Sequence, residues 1–197
     1  MRSLLLVSFL SIIAILSGCT AAVVGGAAAG TSVALDKRTT GNYVEDQNIK
    51  MKYGYLYDQN ELFNDKTHVN VTSYNLQILI TGEVETEQQK QALNQMANGV
   101  KNVRHAYNEV VIGPITSFGS RSNDTYLTGK IKSSVFANIQ ELDGAQVKVV
   151  TENSSVFLMG LVTQKQGRQI TEIARTTHGV KRVIKLFEYT DSMPNKY

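Results

Sequence analysis

Tryptophan is absent, and the chain has one cysteine, two prolines and three histidines. With one cysteine no disulfide can close within the chain, so the fold must be held by packing. His68, His105 and His178 lie far apart, none with a ligand at helical or hairpin spacing, and no metal motif can be written. No Gly-x-Ser-x-Gly elbow occurs. The glycines at 25 and 30 fail as a phosphate loop, because Thr31 stands where lysine is needed. Glu83, Glu85 and Glu87 alternate near a strand-to-helix junction, a pattern that would suit cation binding but that the helix dipole already accounts for. No catalytic residue, metal, cofactor or small-molecule substrate is therefore expected, and an enzyme is the least supported class.

Long apolar runs are also lacking. The only candidate, Leu4 to Leu16 behind Arg2, falls short of the ~20 residues of a spanning helix and reads as the apolar region of a secretory signal over residues 1–18. It closes on Leu16-Ser17-Gly18-Cys19, a lipobox: an apolar residue, two small ones, then the cysteine that receives lipid. Cys19 is thus the expected lipidation site, and its covalent acyl groups are the only non-protein component expected. More than one acyl chain makes such an anchor stable, at ~0.8 kcal/mol per buried CH₂. Thr20, where an aspartate would favour inner-membrane retention, points to the outer membrane, facing the periplasm.

What is present is asymmetric. Val44 to Gly113 carries nine acidic and six basic residues, a charge of −3, whereas Arg121 to Tyr197 carries seven and eleven, a charge of +4. Only the second half favours an anionic surface. Export argues against nucleic acid as its partner. Residues 19–43 are read as the lipidated N-terminus and a Gly/Ala-rich flexible tether, in which the spacing of Gly26 and Gly30 would also suit close helix packing.

At an offset of 78, Asp46, Lys52, Asp65, Val69, Val71, Asn75, Gly82, Val84, Gln88 and Gln91 meet Asp124, Lys130, Asp143, Val147, Val149, Asn153, Gly160, Val162, Gln166 and Gln169. At an offset of 80, Gly99-Val100-Lys101-x-Val103 meets Gly179-Val180-Lys181-x-Val183. The chain therefore contains two copies of one unit, 44–113 and 123–190, joined by a linker at 114–122 and followed by a tail at 191–197. In each, a helix (Ile49, Tyr53, Leu56 and Tyr57; Leu127, Ile131 and Val135 at helical spacing) begins at a capping aspartate, Asp46 or Asp124. Two strands follow, Val69 to Ser73 with Ile78 to Thr81, and Val147 to Thr151 with Val156 to Met159, linked by turns carrying Asn75 or Asn153 and ended by Gly82 or Gly160. A second helix, Glu85 to Asn98 or Thr163 to Thr177, leads to a last strand, Val103 to Ile112 or Val183 to Tyr189.

The expected class is α+β, α-β-β-α-β twice, with two helices on one face of a three-stranded mixed sheet. The other sheet face then needs a cover, which each unit can supply to the other.

The glycine exit in Val156-Phe157-Leu158-Met159-Gly160-Leu161-Val162, with Gly179-Val180-Lys181-Arg182-Val183 and its counterpart Gly99-Val100-Lys101-Asn102-Val103, resembles the BON domain over nearly the whole mature chain. Two BON domains behind a lipobox imply a non-enzymatic outer-membrane lipoprotein. The resemblance further implies binding of anionic phospholipid through the second domain, gathering at division sites and support of outer-membrane integrity.

The helix from Asn123 to Asn138 is the informative one. With Leu127, Ile131 and Val135 facing the core, Tyr126 and Phe136 point elsewhere, beside Lys130 and Lys132. Rings at a headgroup boundary with ammonium groups meeting phosphate are what shallow membrane insertion requires. The first copy has Asn48, Lys52, Gly54 and Asp58 at these positions. The resemblance makes this helix the lipid-facing one, with Trp more typical at the position of Tyr126; Tyr should weaken insertion without abolishing it. Packing of Tyr126 and Phe136 on the first domain or the linker is the alternative. Tyr74, in the first hairpin turn, is a weaker candidate for an interdomain or rim contact. A periplasmic scaffold contacting outer-membrane assembly proteins is the competing function.

Overall fold

The computed structural model describes residues 40–139, 142 and 146–190. The signal segment, Cys19, most of the tether and the tail at 191–197 lie outside them. Eleven elements follow in order: α1 Thr40–Asp58, β1 His68–Tyr74, β2 Gln77–Val84, α2 Glu87–Gly99, β3 His105–Asn108, β4 Val111–Ile112, α3 Phe118–Asn138, β5 Val147–Glu152, β6 Ser155–Val162, α4 Gln164–Thr176 and β7 Arg182–Tyr189. The α+β class and the doubled α-β-β-α-β order are as expected. Each domain has an antiparallel hairpin (β1–β2, β5–β6) whose second strand pairs in parallel with the last strand. That central strand is the most buried.

Strand periodicity sorts the core into three layers. In β2, Ile78 and Ile80 face α1 and α2, packing with Ile49, Tyr53, Leu93 and Ala97. In β6, Val156 and Leu158 face α3 and α4, packing with Ile131, Val135, Ile170 and Ala174. The alternate residues, Leu79 from the first sheet and Phe157 and Met159 from the second, meet in a third cluster with Tyr74 and Leu186. The two domains therefore cover each other's open sheet face.

Several local features differ from the sequence reading. Asp46 and Asp124 are not N-caps. Both lie inside their helices, which begin at Thr40 and Phe118, and both are buried. The Asp46 carboxylate accepts the backbone N–H groups of Asn75 (2.7 Å) and Leu76 (2.8 Å) and the Ser73 hydroxyl (2.8 Å). Asp124 likewise accepts from Asn153 (2.9 Å) and Ser154 (2.8 Å). These amides sit in two-residue hairpin turns whose residues all have positive φ: 51° and 65° at Asn75 and Leu76, 47° and 60° at Asn153 and Ser154. That geometry matches strand twist but favours Asn or Gly, so Leu76 and Ser154 are held there with help from the aspartates. The start of α3 is capped by Ser117, so Phe118 to Ser122, read as linker, is helical.

Gly82 and Gly160 do not end their strands, which run on to Val84 and Val162. A Cβ at Gly82, where φ is +119°, would stand 1.9 Å from the His68 carbonyl oxygen, so only glycine fits beside the partner strand. The last strand of the first domain breaks into β3 and β4 because Val110 turns into the core and Asn108 accepts its N–H at 3.3 Å. The capping boxes of α2 (Thr86 with Gln89) and α4 (Thr163 with Gln166) are spaced 77 residues apart, so Gln166 corresponds to Gln89 rather than Gln88. Leu56, set at helical spacing with Ile49, Tyr53 and Tyr57, is 37 % exposed, whereas Ile49 and Tyr53 are fully buried.

Candidate functional site

On α3 the core face is Leu127, Ile131 and Val135, together with the buried Asp124. At ~100° per residue the opposite face is centred between Tyr126 and Phe136. Tyr126 is 62 % exposed and Phe136 69 %. Phe118, 79 % exposed, joins them, because a separation of 18 residues is about five whole turns and gives it the azimuth of Phe136. The alternative of Tyr126 and Phe136 packing on the first domain is thus not what the structure shows. Exposed Lys130 and Lys132 flank the ring face from opposite sides, and the Lys130 ammonium lies 5.8 Å from the centre of the Tyr126 ring. Phe118 lies in the segment that the repeat assigns to the linker; Ser117 followed by a helical interval to Tyr126 and Phe136 is the sequence signal that marks it.

The first domain also carries an apolar stripe, at positions the repeat does not share. Val44, Met51 and Tyr55 on α1 are exposed and fall on one face at spacings of seven and four. Lys52 beside them is paired with Glu45 at 3.9 Å.

Tyr74 is buried in the cluster between the sheets, and its hydroxyl donates to the Gln146 carbonyl at 2.8 Å. A second polar group sits at the rim of the same seam. His68 and Glu83 face each other across the β1–β2 hairpin, with His68 Nδ1 3.1 Å from Glu83 Oε2. Glu152, from the end of β5, comes in from the other domain, its Oε2 accepting from Asn70 (3.0 Å) and Thr81 (3.3 Å). Burial holds the Glu152 carboxyl above the usual carboxylate range, and nearby Glu83 adds to the effect, while the Asn70 and Thr81 hydrogen bonds and His68 oppose it. Glu85 and Glu87 point elsewhere, Glu85 lying 3.8 Å from Lys66 and Glu87 in the first turn of α2. Spacing along the chain singles out Glu83 but neither of its partners, because strand pairing brings in His68 and the other domain brings in Glu152. The other two histidines are not in it.

No helix among the described residues is long and apolar enough to cross a membrane. The profile of the BON domain matches residues 58–114 and 123–191, and the chain belongs to the BON-domain family. It is 39 % identical over 176 residues to the outer membrane lipoprotein DolP of Haemophilus influenzae, covering 89 % of this chain and 91 % of that one. It is 32 % identical over 155 residues to a 21 kDa hemolysin of Actinobacillus pleuropneumoniae, covering 79 % of each. It is 27 % identical over 159 residues to the osmotically-inducible protein Y of Escherichia coli, covering 79 % of this chain and 78 % of that one. The first of these supports an outer-membrane lipoprotein built of BON domains.

Proposed function

We propose that this chain is a non-enzymatic lipoprotein, tethered to the outer membrane through Cys19 and facing the periplasm, that binds anionic phospholipid through α3. The observation that carries this reading is the outward face of α3, where Phe118, Tyr126 and Phe136 stand exposed between Lys130 and Lys132. Rings of this kind enter the headgroup boundary while ammonium groups stay with phosphate. The +4 charge of the second half adds attraction to an anionic leaflet. Tethering supplies a high effective concentration, so weak intrinsic affinity suffices. Where anionic lipid gathers, as at division sites, the protein would gather too and support envelope integrity there.

The test uses a soluble form lacking Cys19. It should co-sediment with vesicles containing phosphatidylglycerol and poorly with zwitterionic ones, and Tyr126→Glu with Lys132→Glu should abolish the difference. Undiminished sedimentation of that double variant would overturn the lipid-binding face.

A second reading, a scaffold for outer-membrane assembly proteins, is favoured by the exposed Val44, Met51 and Tyr55 stripe on the first domain. Cross-linking in intact cells from Tyr55 and Tyr126 separates the two, since protein adducts at both positions would favour the scaffold.

A further inference from the structure

We propose that His68, Glu83 and Glu152 form a site for a small divalent cation of the zinc class that clips the two BON domains together. One imidazole nitrogen and two carboxylate oxygens, one atom from each residue, lie within 4.8 Å of one another. Two come from the β1–β2 hairpin of the first domain and one from the end of β5 in the second.

Three observations point to a cation rather than to an ordinary surface cluster. First, both carboxylates are buried, Glu83 4 % and Glu152 8 % exposed. Among the described residues neither has a lysine or arginine within ion-pair distance; the only ion-pair partner of Glu83 is His68. Two buried carboxylates sharing one imidazole leave negative charge uncompensated, which is costly unless a proton or a cation is shared. Second, the donors are held in place. Glu152 accepts from Asn70 and Thr81, and the Asn70 amide nitrogen also lies 3.3 Å from the second imidazole nitrogen of His68, so one side chain contacts two of the three donors. Third, the site is reachable. A cleft of about 330 Å³ is lined by His68, Asn70 and Glu152 together with Arg121, Thr125 and Thr128 of α3.

The donor set selects the ion. A mixed imidazole and carboxylate site suits zinc and its first-row neighbours, whereas calcium takes ~6–8 oxygen ligands, more than this site offers. On tetrahedral zinc at ~2.0–2.1 Å from each ligand, neighbouring donors are ~3.3 Å apart. The 3.1 Å between His68 and Glu83 already has that spacing, and the Glu152 oxygen lies within 4.8 Å of both. Bound there, the ion would bridge the domains at the rim of their shared core.

The experiment takes the full lipidated chain in detergent, strips it with a chelator, and titrates ZnCl₂, MgCl₂ and CaCl₂ while following bound metal and thermal unfolding. One zinc per chain should bind saturably and raise Tm, while magnesium and calcium should not. Glu152→Gln and His68→Gln should each weaken zinc binding more than about tenfold. Glu152→Gln should also melt no lower than wild type without metal, because it removes one of two crowded charges. His178→Gln should bind zinc as wild type does. The proposal is overturned if zinc leaves the wild-type Tm unmoved, or if either ligand variant retains wild-type zinc affinity, in which case a shared proton compensates the pair.

Discussion

One guanidinium nitrogen of Arg104, in the first domain, lies 2.9 and 2.8 Å from the two carboxylate oxygens of Glu188 in the second. The same nitrogen donates to the Asn75 carbonyl at 2.7 Å, and the Asn75 side chain donates to Glu188 at 2.7 Å. This network closes one rim of the interdomain seam. Because Arg104 is half exposed, solvent screens the pair, and a double-mutant cycle of Arg104→Ala with Glu188→Ala in urea should give a coupling of ~0.5–1 kcal/mol. A coupling above ~3 kcal/mol would mean the pair is desolvated far more than its exposure indicates.

The apolar seam should matter more. Phe157 is buried among Leu79, Met159 and Tyr74, so Phe157→Ala should cost ~3–5 kcal/mol in chemical denaturation. Tyr126→Ala, on the exposed face of α3, should stay within ~0.5 kcal/mol of wild type while lowering vesicle binding. That contrast separates a residue kept for folding from one kept for contact.

The aspartate clamps give a third test. Asp124→Ala removes a charged acceptor from two hairpin amides held in a positive-φ turn. A loss of ~2–4 kcal/mol is expected, and Asp46→Ala should lose at least as much because it also releases Ser73. Were these residues helix caps, loss would be ~1 kcal/mol and the hairpin amides would keep their protection from hydrogen exchange.

Acid should stabilise one part of the metal-free protein. Glu152 titrates higher in the folded state than its ordinary value of 4.5, chiefly through burial. Between that value and the raised one the folded chain holds more protons than the unfolded chain, so this contribution to stability is present at low pH and declines as pH rises through the window. With chelator present, urea midpoints of wild type minus Glu152→Gln should fall as pH climbs from 4.5 towards neutrality. A difference that is flat or rises would contradict the direction of the shift.

The repeat, the α+β order, the helical core faces and the placement of Tyr126, Lys130, Lys132 and Phe136 opposite them were all legible in the sequence. These depend on periodicity, which is local: a 3.6-residue or two-residue repeat says which side chains share a face before any partner is known. The positive-φ turns were legible at Asn75 and Asn153 for the same reason, since asparagine tolerates that backbone by itself.

What required the tertiary structure was everything made by two distant segments. Asp46 looks like a cap in sequence because aspartate near a helix start usually is one; that its carboxylate reaches a turn about thirty residues away depends on how α1 crosses β1 and β2. Gly82 looks like a strand stop, but the close approach of the His68 carbonyl makes it a mid-strand necessity. Phe118 becomes part of the α3 face only once Ser117 is seen to cap the helix. The triad of His68, Glu83 and Glu152 has no sequence signature, because strand pairing joins two of its members and domain packing brings the third. Periodicity reports which face a residue occupies; only the packing of faces against one another decides which charges are buried together.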